Sequence, residues 1–416
     1  MPNQISPAIL KSAATHTVRY RGLNECDLRS WPLTRKSDYR EHTEQFLALN
    51  IEPGLRKRVL RKLEVENCTS VNSTYEREIA CEGCIIERSS GTTGPAVWLP
   101  KTRAERCTLA INILATRRRI DPQFSSQRFR NLNPSFTVRE GTDRSVGAAG
   151  DRITEIYQNA FDDGVRDLYI HGGLLAFHAT QISAKRITFK FERIETAGQS
   201  LSESEQANIS SVFGCKIRNQ YGTSEVSAIG YSIYPEMVLD TLDSVYVEVI
   251  DNSGRIIEGS GEIGNVVVTS NVLCFFPIIR FITGDLGSWE DREGRRCLLL
   301  QRDRENALIK YPDGSTHSGP RAMRRIFERI RDPGGFYFKG DWKVRRESNK
   351  AFVYLVPTEF PAAKLIRKEL IDCLSPVGVE EVIFKTWSGW EPFDKRLAYI
   401  DLGSNSSTPP SIKRTT

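Results

Sequence analysis

The feature that most constrains the fold of this 416-residue chain is a change of pattern near residue 240, where alternating strand and helix signals give way to strands alone. Before that point, "AERCTLAINILATRRR" (104–119) predicts a helix, and "RDLYIHGGLLAF" predicts a strand, a tight turn and a helix. The stretches "KRITFKFERIETAG" and "CKIRNQYGTSE" each predict a short strand that runs into a glycine-containing loop. This alternation favours an α/β layered domain.

Two changes of texture divide the chain further. "VYVEVID", "NSG" and "GNVVVTS" predict a β-rich subdomain at about 240–300, inside a large N-terminal α/β domain over 1–301. After it, "PRAMRRIFERI" predicts a helix and "AFVYLV" a strand, so that 305–403 forms a small C-terminal α+β domain. Residues 404–416 are predicted to be a disordered tail.

Composition limits the possible partners. The 58 basic and 52 acidic residues nearly balance, and no stretch reaches the roughly 18 apolar residues that a membrane span needs. The N-terminal stretch lacks the apolar core of a secretory signal. We therefore predict a cytoplasmic protein with no nucleic-acid or membrane partner, and the oligomeric state is left open.

The nine cysteines are an odd number, which favours free thiols. Cys81 and Cys84 form a lone CxxC without the second pair or the nearby histidines that zinc sites usually have. Buried thiols are the preferred interpretation, and zinc binding is the alternative.

The stretch "ERSSGTTGPAVWLPKT" (87–102) concentrates small and hydroxyl-bearing residues. A surface linker would have this composition. However, the stretch starts straight after the apolar pair Ile85 and Ile86 and ends in "VWL", as a binding loop between two buried strands would. The pattern GxxxxGK[ST] is absent from the chain, which argues against a Walker-type nucleotide fold.

Four separated stretches follow one another in the order "SSGTTG" (89–94), "YGTSE" (221–225), "PIIRFITGDLG" (277–287) and "QRDRENALIK" (301–310). In this order, and with Thr102 eight residues beyond the first, they resemble the motifs of the adenylate-forming superfamily. That superfamily comprises acyl- and aryl-CoA ligases, luciferases and peptide-synthetase adenylation domains. The likeness is greatest to phenylacetate-CoA ligase-like members.

The resemblance implies ATP-dependent activation of a carboxylic acid as acyl-AMP, with release of pyrophosphate and with Mg2+ as the metal. It also implies transfer of the acyl group to a thiol, with coenzyme A as the default co-substrate. The first motif would hold the pyrophosphate portion of ATP, because glycine N–H groups and small hydroxyls can surround phosphate oxygens. Its residues are Ser89, Ser90, Gly91, Thr92, Thr93 and Gly94.

The later motifs imply the other nucleotide contacts. Glu225 resembles the carboxylate that binds magnesium, since a hard divalent ion prefers oxygen ligands. Asp285 resembles the residue that accepts the ribose hydroxyls, Arg302 resembles the ribose-side arginine, and Tyr221 would border the adenine. The remaining implied contacts are Gly222, Thr223 and Ser224 near the α-phosphate and acyl group, and Gly198 and Gln199 at the adenine edge.

The resemblance also gives the small domain a role. Lys395 in "WEPFDKRLAYI" matches the family's C-terminal lysine, whose charge can neutralise the charge between carboxylate and α-phosphate. The family has a hinge around Arg304 (302–304), which would make the small domain mobile between adenylation and transfer. The acyl pocket would be bordered by Tyr169, His171, Gly172 and Gly173, with the acid itself unspecified.

Departures from the family pattern bear mainly on the transfer step. Pro95 replaces a common lysine, Ile282 replaces an arginine, and Gln301 and Asp394 replace glycines. The segment 301–319 is longer than the family's compact hinge and glycine loop, where the pantetheine arm passes. Adenylation tolerates these changes, whereas the acceptor has two alternatives to coenzyme A, a carrier-protein thiol or an amine.

Two interpretations from other classes are open. A non-catalytic relative would bind nucleotide without turnover, but Glu225, Asp285 and Lys395 argue against it. A nucleic-acid-binding protein would use residues 321–350, which hold ten Lys and Arg against four Asp and Glu. No aromatic and basic motif of a known reader accompanies this run, and the same charge would suit coenzyme A phosphates or an acidic carrier protein.

Overall fold

The computed structural model describes residues 4–68, 78–89, 97–132, 150–199, 201, 203–233, 238–292, 294–304, 307–329, 342–355, 357, 360–386 and 399–401. The chain divides into two compact units, Met1–Gln301 and Arg302–Thr416. Within the described ranges, no helix combines the length and the apolarity required to cross a membrane. The predicted hinge and the movement of the small domain stay predictions.

The helices of the first unit are α1 (Pro7–His16), α2 (Lys36–Glu41), α3 (Thr43–Phe46), α4 (Pro53–Cys68), α5 (Arg103–Ile120), α6 (Gly150–Asp162), α7 (Gly172–Ala184) and α8 (Glu203–Phe213). Its strands are β1 (Glu78–Cys81), β2 (Cys84–Arg88), β3 (Trp98–Thr102), β4 (Phe129–Asn131), β5 (Asp167–His171), β6 (Arg193–Ala197), β7 (Lys216–Thr223), β8 (Ser227–Ile233), β9 (Val238–Thr241), β10 (Val245–Ile250), β11 (Gly264–Ser270) and β12 (Phe281–Arg292). Strand β13 (Arg295–Arg304) runs across the boundary between the units.

A ten-stranded sheet, in the order β10-β11-β12-β13-β9-β8-β7-β6-β5-β4, forms the frame of the first unit. Strands β4 to β7 are parallel to one another, whereas β8 pairs antiparallel with β7. His171, the last residue of β5, is paired with Ala197, the last residue of β6. The carboxyl ends of these strands therefore meet at one edge of the sheet, which is where open α/β sheets bind ligands.

The two faces of the parallel strands are covered differently. On the side of α6 to α8, Tyr157 packs against Phe213 with a ring-centroid distance of 4.8 Å. Ile194 of β6 is fully buried, and the next residue, Glu195, faces the opposite side because successive strand residues alternate. Glu195 accepts two hydrogen bonds from Arg117 of α5, at 2.8 and 2.6 Å. One face is therefore covered by an aromatic layer, and the other carries a buried ion pair.

The N-terminal helices pack against the antiparallel part of the sheet. Tyr39 of α2 is fully buried, with its ring centroid 5.8 Å from that of Phe281. The backbone of Thr34 adds a bridge to β12, because its N–H donates to the Arg280 carbonyl and its carbonyl accepts from the Ile282 N–H. This N-terminal segment is therefore part of the main core.

The second unit contains β14 (Leu308–Lys310), β15 (Thr316–Ser318), α9 (Gly319–Arg329), β16 (Trp342–Glu347), β17 (Lys350–Leu355), α10 (Ala363–Leu374), β18 (Glu381–Thr386) and β19 (Tyr399–Asp401). Its four-stranded sheet has the order β18-β17-β16-β19, and Phe327 of α9 stacks on Trp342 at 4.3 Å. The predicted fold class, a large α/β part with a β-rich section followed by a small α+β part, is confirmed.

Candidate active site

The predicted phosphate loop connects β2 to β3, and hydrogen bonds between Ser89 and Val97 close its base. Strands β2 and β3 pair antiparallel up to Arg88 and Trp98. Beyond that pair, the Ser89 N–H donates to the Val97 carbonyl at 2.8 Å, and the Ser89 hydroxyl oxygen accepts from the Val97 N–H at 2.8 Å. Ser89 therefore closes the base of the loop. The predicted contacts Ser90, Gly91, Thr92, Thr93 and Gly94 lie outside the described residues.

Lys101 connects this hairpin to the "YGTSE" motif. Its side chain is 2% exposed, and its ammonium donates to Glu87 Oε2 at 2.5 Å and to the carbonyl of Ser224 at 2.6 Å. Arg106 of α5 contacts the other oxygen of Glu87 at 3.0 Å. The sequence interpretation missed Lys101, although a lysine inside the otherwise apolar "VWLPKT" was a signal that it has buried partners.

Tyr221 and Asp285 come together although 64 residues separate them. The Tyr221 hydroxyl donates to Asp285 Oδ2 at 2.8 Å, and both side chains are half-buried. The Thr283 hydroxyl fixes the strand before Asp285, since it accepts from the Asp285 N–H at 3.1 Å and donates to the Val266 carbonyl at 3.0 Å. The predicted adenine-side and ribose-side residues are thus neighbours.

The predicted acyl-pocket and adenine-edge loops also touch. Gly198 has a φ of +80°, and a Cβ there would lie 2.6 Å from Cδ2 of His171. A Cβ at Gly172 would lie 2.5 Å from the Gln199 carbonyl oxygen. Both glycines are therefore needed for the close approach of the β5–α7 junction to the loop that follows β6. Gly173 is buried in the first turn of α7.

The predicted pocket residue Tyr169 lies next to a buried charge pair. It is paired in register with Glu195, whose carboxylate is held bidentately by Arg117. The Arg117 guanidinium carbon is 4.4 Å from the ring centroid of Phe129 and 5.7 Å from that of Tyr169. Because each charge has a partner and the guanidinium lies over aromatic rings, the pair is tolerated away from water.

Glu225 is a buried, ionised carboxylate. Its side chain is 2% exposed, and Lys36 Nζ of α2 lies 3.3 Å from Oε1. Burial by itself raises the pKa of Glu225, but the charge of Lys36 and hydrogen bonds to the carboxylate outweigh it, so that the pKa is lowered from its ordinary value. The Thr223 hydroxyl lies beside this carboxylate, and neither Glu225 Oε1 nor Thr223 Oγ1 makes a hydrogen bond of ordinary geometry within the described ranges. An ionised carboxylate beside a hydroxyl fits a hard cation such as Mg2+.

The remaining predicted residues are distributed as follows. Gly222 lies in β7 where a Cβ would be 2.4 Å from the Ser227 carbonyl oxygen, so the close pairing of β7 with β8 requires glycine there. Arg302 and Arg304 lie at the C-terminal end of β13, and Arg304 is its last residue. The side chain of Arg302 lies outside the described part. Lys395 is also outside the described residues. The roles of these residues stay predictions.

No family model matches this sequence, and no curated protein matches it either. Solved structures do match, and they show that the chain has the fold of adenylate-forming ligases. 2-Hydroxyisobutyryl-CoA ligase in the postadenylation state with R3-HIB-AMP has a TM-score of 0.56 at 14% identity, over 95% of this chain and 87% of that chain. The same ligase with 2-HIB-AMP and CoA in the thioesterification state has a TM-score of 0.51 at 16% identity, with the same coverage.

A second kind of enzyme shares the fold. McyG A-PCP complexed with phenylalanyl-adenylate has a TM-score of 0.51 at 12% identity, over 76% of this chain and 64% of that chain. At such identities the likeness shows the fold alone. The predicted resemblance to adenylate-forming enzymes is confirmed in architecture, while the phenylacetate-CoA ligase-like subtype stays a prediction.

Proposed function

We propose that the chain is an ATP- and Mg2+-dependent ligase that activates a carboxylic acid. A carboxylate oxygen attacks the α-phosphorus of ATP, the bond to pyrophosphate breaks, and acyl-AMP forms. A nucleophile then attacks the acyl carbon, and AMP leaves. The observation that carries the proposal is the hydrogen bond between Tyr221 and Asp285, because it joins two distant motifs that the resemblance assigns to the nucleotide, within a fold shared with adenylating enzymes.

Each predicted site residue would have a role that follows from its chemical groups. The Asp285 carboxylate would accept the ribose hydroxyls while Tyr221 orients it and borders the adenine. Glu225 and Thr223 would hold Mg2+, which neutralises phosphate charge when it is bound. Lys395 would place a positive charge between the carboxylate and the α-phosphate. The loop closed by Ser89 would hold the pyrophosphate portion.

Pyrophosphate exchange tests the first half-reaction. We expect ATP–pyrophosphate exchange with at least one member of a panel of aryl and alkyl acids. Asp285→Asn should raise the KM for ATP about 10-fold or more, since a charged hydrogen bond to the ribose is weakened. Asp291→Asn, an exposed position on the same strand, is the matched control and should behave as the parent protein. Exchange that is absent with every acid, or equal in Asp285→Asn and Asp291→Asn, would contradict the proposal.

Coenzyme A is the proposed acceptor. The 2-hydroxyisobutyryl-CoA ligase structure with 2-HIB-AMP and CoA supports a thiol acceptor, and the McyG A-PCP structure supports the alternative of a carrier protein. An amine is the third possibility, because the segment 301–319 is long where the pantetheine arm would pass. We expect coenzyme A to accelerate AMP release once a substrate acid is found. No acceleration at saturating coenzyme A would sink the thiol assignment and leave adenylation standing. A cytoplasmic location stays part of the proposal.

A further inference from the structure

The segment that leads into α2 is fixed to strand β12. The Thr34 N–H donates to the Arg280 carbonyl, and the Thr34 carbonyl accepts from the Ile282 N–H, both at 2.9 Å. The Thr34 hydroxyl also donates to the Ile279 carbonyl at 2.8 Å. These bonds set the position of Lys36, two residues further along the chain, with respect to the sheet.

From this fixed segment the Lys36 side chain reaches Glu225. Nζ lies 3.3 Å from Oε1, and the two side chains are 19% and 2% exposed. Among the described residues, Lys36 is the basic residue that forms an ion pair with Glu225. A second lysine, Lys101, holds the carbonyl of the preceding residue, Ser224. The turn that carries Glu225 is thus held by ammonium groups from two separate elements, and only Lys36 meets its carboxylate.

We propose that Lys36 is the resident counter-ion of Glu225 and competes with divalent cations for that carboxylate. The inference rests on the proposed function, because it takes Glu225 as the metal carboxylate. A Mg2+ ion bound to Oε1 at about 2.1 Å would lie within about 5.5 Å of Lys36 Nζ. Two cations so close to one buried carboxylate repel each other, and free metal is excluded until ATP phosphates add negative charge. Lys36 is then a positioning residue that makes metal binding depend on the nucleotide.

Titration with Mn2+ alone, followed by electron paramagnetic resonance on the full chain without nucleotide, tests this competition. Lys36→Met should bind Mn2+ about 10-fold or more tightly than the parent protein, because the competing charge is gone. The double variant Lys36→Met/Glu225→Gln should lose that gain. Lys57→Met, an exposed position on α4, is the control and should match the parent. Equal Mn2+ affinity in the parent and Lys36→Met, or a gain that survives Glu225→Gln, would overturn the inference.

Thermal unfolding gives a second readout that a merely structural lysine would not move. Mg2+ alone should raise the Tm of Lys36→Met, because the ion replaces the lost ammonium beside a buried carboxylate. The parent protein and Lys36→Arg keep the charge, and their Tm should not respond. If Lys36→Met folds only in Mg2+ buffer, the inference is supported. If it folds in neither buffer, Mg2+ cannot replace Lys36 and the inference is overturned.

The inference and the proposed function fail in different ways. The proposed function fails when no acid supports pyrophosphate exchange, and its assignment of Glu225 to the metal fails when Glu225→Gln leaves Mn2+·ATP binding unchanged. The competition fails when Glu225→Gln weakens Mn2+·ATP binding, as the proposed function requires, but Lys36→Met gains no affinity for Mn2+ alone.

Discussion

Replacing Lys101 with methionine should destabilise the first unit by about 3 kcal/mol, because removing one member of a buried ion pair typically costs roughly 3–5 kcal/mol. The structure sets the size of the effect. Lys101 is 2% exposed and loses bonds to both Glu87 and the Ser224 carbonyl. Glu87 is 20% exposed and keeps Arg106 at 3.0 Å, which places the loss at the lower end of that range.

Urea unfolding followed by tryptophan fluorescence measures this loss. Lys216→Met, an exposed lysine on β7, is the matched control and should change stability by less than about 0.5 kcal/mol. The double variant Lys101→Met/Glu87→Gln should lose about 1 kcal/mol less than the sum of the two single variants, since both single variants break the same ion pair. A loss below about 1 kcal/mol in Lys101→Met, or strictly additive losses in the double variant, would refute the argument that Lys101 holds the hairpin and the 221–225 turn together.

Three further outcomes are expected. Lys395→Ala should slow adenylation about 100- to 1000-fold, whereas transfer of the acyl group from supplied acyl-AMP should be largely kept. Equal loss in both half-reactions would mean that Lys395 is structural. Tyr221→Phe should raise the KM for ATP about 10-fold, because a hydrogen bond to the charged Asp285 is worth about 1.5–3 kcal/mol. The Tm should change by no more than a few degrees. An unchanged KM would show that this bond does not orient Asp285. Burial lowers the pKa of His178 to about 4, below its ordinary value of 6.5. The unfolded chain therefore takes up this proton first, and stability should fall as the pH drops from about 6.5 to 4, by about 1.4 kcal/mol per pH unit. His178→Phe should flatten the slope in denaturant titrations, and an unchanged slope would assign it to other groups.

The sequence predicted well the parts of the site that depend on local pattern. Glycine and hydroxyl residues that follow strand signals located the carboxyl ends of β5, β6 and β7, because a strand that ends near glycine is readable over a few residues. The tight turn predicted after β5 is wrong, since α7 begins at Gly172 directly after His171. The buried Glu225 was recognised from its motif, but its surroundings were not.

The supporting contacts could not be predicted, because they join distant parts of the chain. Lys101 and Ser224 are 123 residues apart, and Arg117 and Glu195 are 78 residues apart. Lys36 and Glu225 are also far apart in the chain, and the backbone bridge of Thr34 to β12 helps to bring them together. Charged residues of this kind look like solvated surface in a sequence until tertiary structure provides a partner.

The closure of the hairpin by Ser89 and Val97 separates the chemistry of the loop from the stability of its frame. The N–H and the hydroxyl of Ser89 bond both backbone groups of Val97 at this point, so the pairing of β2 with β3 is complete before residue 90 begins. Loop length costs little free energy once the ends are fixed, since doubling it adds only about 0.6 kcal/mol. We therefore expect insertions and deletions within 90–96 to change the proposed phosphate contacts without a comparable loss of stability. The loop sequence can thus vary while the β2–β3 pairing that carries it stays the same.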